Sequence, residues 1–343
     1  MADNVRNLMV VGAGQSGSAF VKRILKFGED GGVRLTAIVD PDKEKSAALI
    51  REFPDSMKPE LLSNLGSMSR LNDDTRPEAA IICVPASVHM ATATACMSKG
   101  MHCLLEKPMG FSALDCKELS AKALEYKRHI QGAFLDRWLF AGLWNSWKPS
   151  SGLWTINAIR TGPFVPRSAD TSVMHDMMIR DLDLFVLLSR VFSLPKIANI
   201  RAWGRKLRSD RLDYAIVSLD LEDGGMARFF SSRLSSETLR GWQLSGKDWH
   251  ANLNFLRKSL KRFEQVGRSS HAFQAVETRL EHADPVSHEL DYFLKTLEEQ
   301  VPVEASLRTD FTDLSTMRAF PHNLAETHEL VDRILSTMKV LKV

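Results

Sequence analysis

The chain has 343 residues, 44% hydrophobic and 25% charged, with 45 lysines and arginines against 42 aspartates and glutamates for a formal net charge of +3. That length exceeds one ordinary core and predicts two domains, and the composition excludes a disordered or low-complexity chain. The balanced charge, with basic residues dispersed except in "LRKSLKR" at 256–262, excludes a nucleic-acid footprint.

Four cysteines, Cys83, Cys96, Cys103 and Cys116, form no CxxC pair and lie mostly in apolar runs, so neither a disulfide framework nor a metal site is expected. The apolar runs are broken by charges well short of a membrane span, and the start "MADNVRNLMVVGAG" lacks the pattern of a cleavable leader. The expectation is a soluble cytoplasmic protein with no membrane or nucleic-acid partner.

In chain order, "NLMVVGAG" predicts a strand ending in glycines. "SGSAFVKRILKF" has helical spacing and stops at Gly28, and "VRLTAIVD" predicts a second strand closing at Asp40. A third strand, "AAIICVP" at 79–85, leads into the helical "SVHMATATACMSKG", and "MHCLLEKP" returns as a strand. Ser112 and Asp115 in "SALD" supply the cap and acidic third position of a helix reaching about Arg128. This alternation predicts a Rossmann-type doubly wound parallel sheet over residues 1–130. Beyond it, "HIQGAFL", "LWTINAIRT", "IANIRAWGRK", "DYAIVSLDLE", "GMARFFSSRL" and "RGWQLSGK" are β-rich, interrupted by a helix at about 173–190. Residues 131–343 are therefore expected to form an α+β domain with a largely antiparallel open sheet.

The first chemical motif is "GAGQSG": Gly12, Ala13, Gly14, Gln15, Ser16 and Gly17. Glycines at this spacing let a strand turn sharply into a helix and let backbone N–H groups approach a pyrophosphate, aided by the positive end of the helix. Here the motif follows a predicted strand, opens a predicted helix and is followed by Asp40 at the end of the next strand. Asp40 can accept both ribose hydroxyls of NAD and would repel a 2′-phosphate, and no arginine follows in "DPDKEKS". NAD is favoured over NADP.

The second motif is "LLEKPMG", with Glu106 and Lys107 at the carboxyl end of a strand, where open α/β sheets hold their ligands. A lysine desolvated there can exchange a proton with a substrate hydroxyl. The third is the helix "SVMHDMMIRDLDLF", in which Asp176, Arg180 and Asp183 fall at spacings of four and three on one face, as site residues or as a plain ion-pair ladder.

Taken together, the Rossmann start, "VPASVH", "EKP" and the Dx3[H]DxD-like helix resemble the Gfo/Idh/MocA oxidoreductase superfamily. "GAFLDRW", "RTGPFVPRSADTSV" and "DPVSHELDYFL" are similar to segments of its sugar-nucleotide dehydrogenases. The resemblance implies Lys107 as the catalytic lysine, with Asp176 and Arg180 completing the catalytic set. It also implies cofactor contacts at Pro85, His89 and Glu106, and substrate contacts at Arg137, Arg160, Arg167 and Asp183. Arg160 and Arg167 either hold a diphosphate or are solvated loop charges, and the substrate would be a sugar or sugar nucleotide such as UDP-N-acetylglucosamine, oxidised at its 3-hydroxyl. A homo-oligomer, dimer or tetramer, is also implied.

Arg180 departs from the family, which has histidine there. A guanidinium offers donors only and cannot be a general base. His175 lies about 100° away on a regular helix and does not replace it. Two functions therefore stand: an NAD-dependent dehydrogenase acting on CH–OH, or a catalytically silent binder of a dinucleotide or sugar nucleotide on the same fold.

Overall fold

The computed structural model describes residues 5–29, 32–51, 53–145, 147, 152–166, 169–265, 273–299, 302–303 and 321–341. They fall into two compact units.

The first unit is built on a six-stranded parallel sheet in the order β3-β2-β1-β4-β5-β6. In chain order its elements are β1 (Arg6–Val11), α1 (Gln15–Glu29), β2 (Val33–Val39), α2 (Lys43–Leu49), β3 (Glu60–Leu62) and β4 (Ala79–Ile82). They continue with α3 (His89–Ser98), β5 (His102–Glu106), α4 (Ala113–Tyr126) and β6 (Ile130–Ala133). Leu8 to Val11 and Ala79 to Ile82 are all buried, as strands covered on both faces require. Strand order reverses between β1 and β4, so the loops at the carboxyl ends of these two strands flank the crevice where such sheets bind ligands. The capping box predicted for α4 is present: Asp115 N donates to Ser112 Oγ at 3.2 Å, and Asp115 Oδ2 accepts from Ser112 N at 3.1 Å.

The run "HIQGAFL", read as the start of the second domain, divides differently. Its strand β6 pairs in parallel with β5 and completes the first sheet, and the chain then turns into a helix, α5 (Leu135–Asn145). The second unit begins with that helix. Residues from Val286 onward in a later helix, α7 of the numbering below, group with the first unit, where Gln131 Nε2 donates to Glu289 Oε1 at 2.5 Å in the interior.

After α5 come β7 (Leu153–Thr161), α6 (Ile179–Val191), β8 (Ile197–Arg205), β9 (Tyr214–Leu221), β10 (Met226–Ser232), β11 (Leu239–Gly246) and β12 (Trp249–Asn254). The chain closes with β13 (Ser259–Gln265), β14 (Phe273–Arg279), α7 (Pro285–Glu298), α8 (Pro321–Thr337) and β15 (Lys339–Val340). The second sheet runs β14-β13-β12-β11-β7-β10-β9-β8-β15 and is antiparallel except for β10 against β7 and β15 against β8. "LRKSLKR" ends in β13. Burial alternates along β12, so one sheet face is covered and the other is open. The covered face packs on α5 and α6, with Phe140 against Trp242 at 6.1 Å and Phe185 against Phe229 at 5.7 Å between ring centres. Trp144 and Trp147 join this core, Trp147 meeting Trp249 edge-on at 5.0 Å.

Candidate functional site

In the first unit the site starts from the glycine loop. Gly12 turns the chain with φ of +95°, and a Cβ there would meet Cys83 O at 2.5 Å. A Cβ on Gly17 would overlap the Gly12 carbonyl oxygen. The loop's own packing therefore dictates both glycines. Gly14 differs, because nothing lies within 4 Å of where its Cβ would stand. Its bare side leaves room for a ligand to reach the amides at the start of α1, where the helix dipole is positive. Gln15 is exposed and Ser16 half-buried at this start.

Asp40 stands just after β2, buried at 8% exposure. Its Oδ2 accepts from Ala13 N at 2.6 Å and its Oδ1 from Asp42 N at 2.9 Å. A carboxylate oxygen has two lone pairs, so each oxygen keeps capacity for a hydroxyl donor. An open Gly14 and a carboxylate held at the loop's rim fit a dinucleotide: the α1 amides for its pyrophosphate and Asp40 for its ribose.

Lys107 follows directly on β5 and is half-buried. Its backbone N–H donates to Glu106 Oε2 at 3.0 Å, so the buried Glu106 carboxylate folds back over the strand end. The Lys107–Pro108 peptide is cis. Beyond it, Asp115 Oδ2 accepts from Phe111 N at 2.6 Å, and a Cβ on Gly110 would collide with the Asp115 side chain. Helix α4 thus pins the loop that carries the lysine.

Pro85 opens the loop after β4, and His89 begins α3 with its ring buried. His89 Nδ1 lies 2.7 Å from Pro108 O and Nε2 lies 2.9 Å from Val84 O. Burial lowers its pKa and outweighs the pull of the two carbonyls and Glu106 toward the charged form, while Lys107 adds to the lowering. The ring braces the loop after β4 against the loop after β5, a position the sequence reading had given to a cofactor contact. Burial, aided by Glu106, pushes the Cys83 thiol well up, so this cysteine stays protonated.

In the second unit the helix "SVMHDMMIRDLDLF" is not regular. A single π-helical turn spans Met174–Met178, with Ile179 N donating to Met174 O, and α6 continues from Ile179. The wider turn shifts residues before it around the axis relative to those after it, so the face expected for Asp176, Arg180 and Asp183 is broken. Asp176 and Arg180 are half-buried. His175 is buried, with Nδ1 3.0 Å from Ser172 Oγ. Asp183 is buried at 1% exposure and forms a two-pronged ion pair with Arg137, Arg137 Nε to Asp183 Oδ2 at 2.7 Å and Nη2 to Oδ1 at 2.6 Å. Thr327 Oγ1 adds a donor to Asp183 at 3.2 Å. Both residues were expected to meet substrate. They meet each other instead, because two opposite charges taken out of water need mutual pairing.

Arg160 is likewise corrected. At 2% exposure it donates through Nε and Nη2 to Asp181 at 2.7 and 2.9 Å, and Nη2 lies 3.1 Å from Asp136 Oδ2. Trp242 Nε1 donates to Asp181 Oδ1 at 2.8 Å. Arg160 is thus committed through Nε and Nη2 to two carboxylates of the same unit. Arg167 lies outside the described residues. Asp136, on α5, is the hub of this cluster: burial raises its pKa, but Arg160, Arg180 and Arg240 together hold it below the usual carboxylate value. Asp136 and Arg240 escaped the sequence reading, although Asp136 lies in "GAFLDRW", because the arginines they meet are distant in sequence.

Residues 6–134 match the family described as "Oxidoreductase family, NAD-binding Rossmann fold". The first unit is a Gfo/Idh/MocA oxidoreductase domain. Across 300 residues the chain is 26% identical to the UDP-N-acetylglucosamine 3-dehydrogenase of Acidithiobacillus ferrooxidans, covering 86% of this chain and 89% of that one. The solved structure of that dehydrogenase superposes with a TM-score of 0.75 at 22% identity, over 97% of this chain and 98% of the other. A levoglucosan dehydrogenase in complex with NADH shares the fold, with a TM-score of 0.74 at 14% identity and 97% coverage of both chains. Residues 6–134 thus match an oxidoreductase family, and sugar dehydrogenases are among the proteins the chain is similar to. Among the described residues no helix is long and apolar enough to cross a membrane, and no group of three or more His, Cys, Asp or Glu is arranged to hold a metal.

Proposed function

We propose that the protein is an NAD-dependent dehydrogenase that oxidises a secondary hydroxyl of a sugar or sugar nucleotide, with the 3-hydroxyl of UDP-N-acetylglucosamine as first candidate. The observation that carries this reading is the glycine loop, open at Gly14 and bounded by the fixed Asp40 carboxylate. The relative that spans 86% of the chain supports the substrate class. Nicotinamide, when bound, supplies the acceptor for the hydride. Gly12, Ala13, Gly14, Gln15, Ser16 and Gly17 hold the pyrophosphate, and Asp40 holds the adenosine ribose and disfavours a 2′-phosphate. Lys107 Nζ takes the hydroxyl proton as the carbon is oxidised. Glu106 and His89 keep the Lys107 loop in place. Asp176 and Arg180 serve to orient the substrate.

Formation of NADH across a panel of UDP-sugars tests the proposal, with turnover expected on at least one. Binding of NAD and of a UDP-sugar without NADH formation supports the silent binder instead, a reading kept by Arg180, which cannot act as a base. We also propose a homo-oligomer formed through the open face of the second sheet, where Tyr214, Ile216, Phe230 and Leu239 present apolar surface. Sedimentation at the monomer mass at all concentrations would exclude it.

A further inference from the structure

Five charged side chains gather where α5 and α6 cover strands β7 and β11: Arg160, Arg180 and Arg240 against Asp136 and Asp181. The count is three guanidinium groups to two carboxylates. The charges are not shared evenly. Both oxygens of Asp181 go to Arg160, and Asp136 Oδ2 sits 3.1 Å from Arg160 but 3.5 Å from Arg180. The Arg180 side chain is 19% exposed and, among the described residues, has only that long contact for its five N–H donors.

Arg240 is exposed; its carbonyl accepts from Phe255 N at 2.9 Å, but among the described residues no hydrogen bond or ion pair engages its side chain. It stands directly opposite Arg160 in the antiparallel β11–β7 register, so both side chains leave the same covered face of the sheet. Cross-strand neighbours have Cβ atoms about 5 Å apart, and like charges there are unfavourable unless something between them is negative. Asp136 and Asp181 serve Arg160. Both carboxylates also attract Arg240, but partial burial and then the neighbouring Arg160 and Arg180 outweigh them and lower its pKa. A surplus positive charge with unused donors is thus held at one end of the covered face, where Phe255 lies against Arg160 and Trp242 donates to Asp181.

We infer that Arg180 and Arg240 form a recognition site for an oxyanion group, phosphate or carboxylate, on the ligand of the second unit. This deepens the dehydrogenase reading and rests on it for the ligand being a sugar derivative. An oxyanion would take the unused N–H donors of both guanidinium groups and supply the missing negative charge. It also accounts for arginine at position 180: the residue contributes charge recognition where a histidine would contribute proton transfer. The pair, rather than the ion-paired Arg160, selects anionic sugars. A nucleotide diphosphate and a uronic-acid carboxylate share this chemistry.

Calorimetric titration of the full chain with UDP and, separately, with glucuronate distinguishes the two sources. At least one anion is expected to bind wild type, more weakly as salt is raised. Arg240→Gln is expected to weaken that anion by about ten- to a hundredfold, to flatten the salt dependence, and to leave the NAD affinity and the melting temperature unchanged. Arg240→Lys should recover part of the affinity, since it restores the charge without the planar fork. Failure of both anions to bind wild type, or equal affinity in wild type and Arg240→Gln, overturns the inference. Loss of anion binding in Arg240→Gln from a protein that never forms NADH sustains the inference while removing the dehydrogenase reading.

Discussion

Asp40 Oδ2 accepts the Ala13 backbone N–H at 2.6 Å, tying the rim of the glycine loop to the end of the neighbouring strand. The bond fixes a negative charge where a ribose would be read, and it holds the loop's shape through a side chain. Asp40→Ala should therefore weaken NAD(H) by about tenfold or more, given the strength of charge-assisted bonds. It should also narrow the gap between NAD(H) and NADP(H). Titration of both cofactors into both proteins checks this; tighter NADP(H) binding by wild type would overturn the role given to Asp40.

Lys107 is the proposed base. Lys107→Ala should lower turnover by roughly two to four orders of magnitude while NAD affinity stays nearly unchanged. Full activity in that variant would move the search for the base to Asp176.

Arg180→His restores the residue type common in the family and should retain or raise hydride transfer on a neutral sugar. By the anion inference, the same change should raise KM for a substrate carrying phosphate or carboxylate. Steady-state kinetics on paired neutral and anionic substrates separates the two effects. A variant that forms NADH where wild type forms none would establish the silent binder as the natural state.

The Arg137–Asp183 pair is buried at 4% and 1% exposure. Arg137→Ala removes one partner and strands the other in the interior, at an expected cost of about 3–5 kcal/mol. Chemical denaturation measures it. A loss under 1 kcal/mol accompanied by a changed substrate KM would return Arg137 to the substrate-binding role first expected of it.

His102 gives the fold an acid-sensitive arm. Its Nδ1 accepts the His129 N–H at 3.0 Å, and its pKa is pushed down to about 3 by burial first, then by His129, Arg128 and Arg6. Above about pH 6.5 the ring is neutral whether folded or unfolded and contributes no pH dependence. Below that, the unfolded chain takes up a proton that the folded chain refuses, so stability falls as pH drops from about 6.5 toward 3. His102→Asn keeps an acceptor for the His129 amide and should flatten this part of the stability profile. An unchanged slope would contradict the assignment.

The first sheet was largely legible because its signals are local. The motif "GAGQSG", the apolar strands and the Ser112–Asp115 cap each lie within a few consecutive residues. The helix in "LDRWLFAGLW" was not picked out because the segment is apolar nearly all round, which hides the helical period that a half-exposed helix shows. The fates of Arg137 and Arg160 were hidden for another reason: their partners, Asp183 and Asp181, lie 46 and 21 residues away, and pairing at that range belongs to the tertiary fold. The π turn at Met174–Met178 has no sequence mark, and it breaks the face that helical spacing assigned to Asp176, Arg180 and Asp183.

The three glycines of the loop divide into two kinds of lesion. A side chain at Gly12 or Gly17 strikes the polypeptide itself and should show as poor yield or aggregation, with no informative protein to assay. A side chain at Gly14 enters empty space, so Gly14→Val should give a well-folded chain that is blind to the dinucleotide. That variant is a clean knock-out of one ligand, and with it the affinity of the second unit for its own ligand can be measured as an equilibrium, undisturbed by turnover.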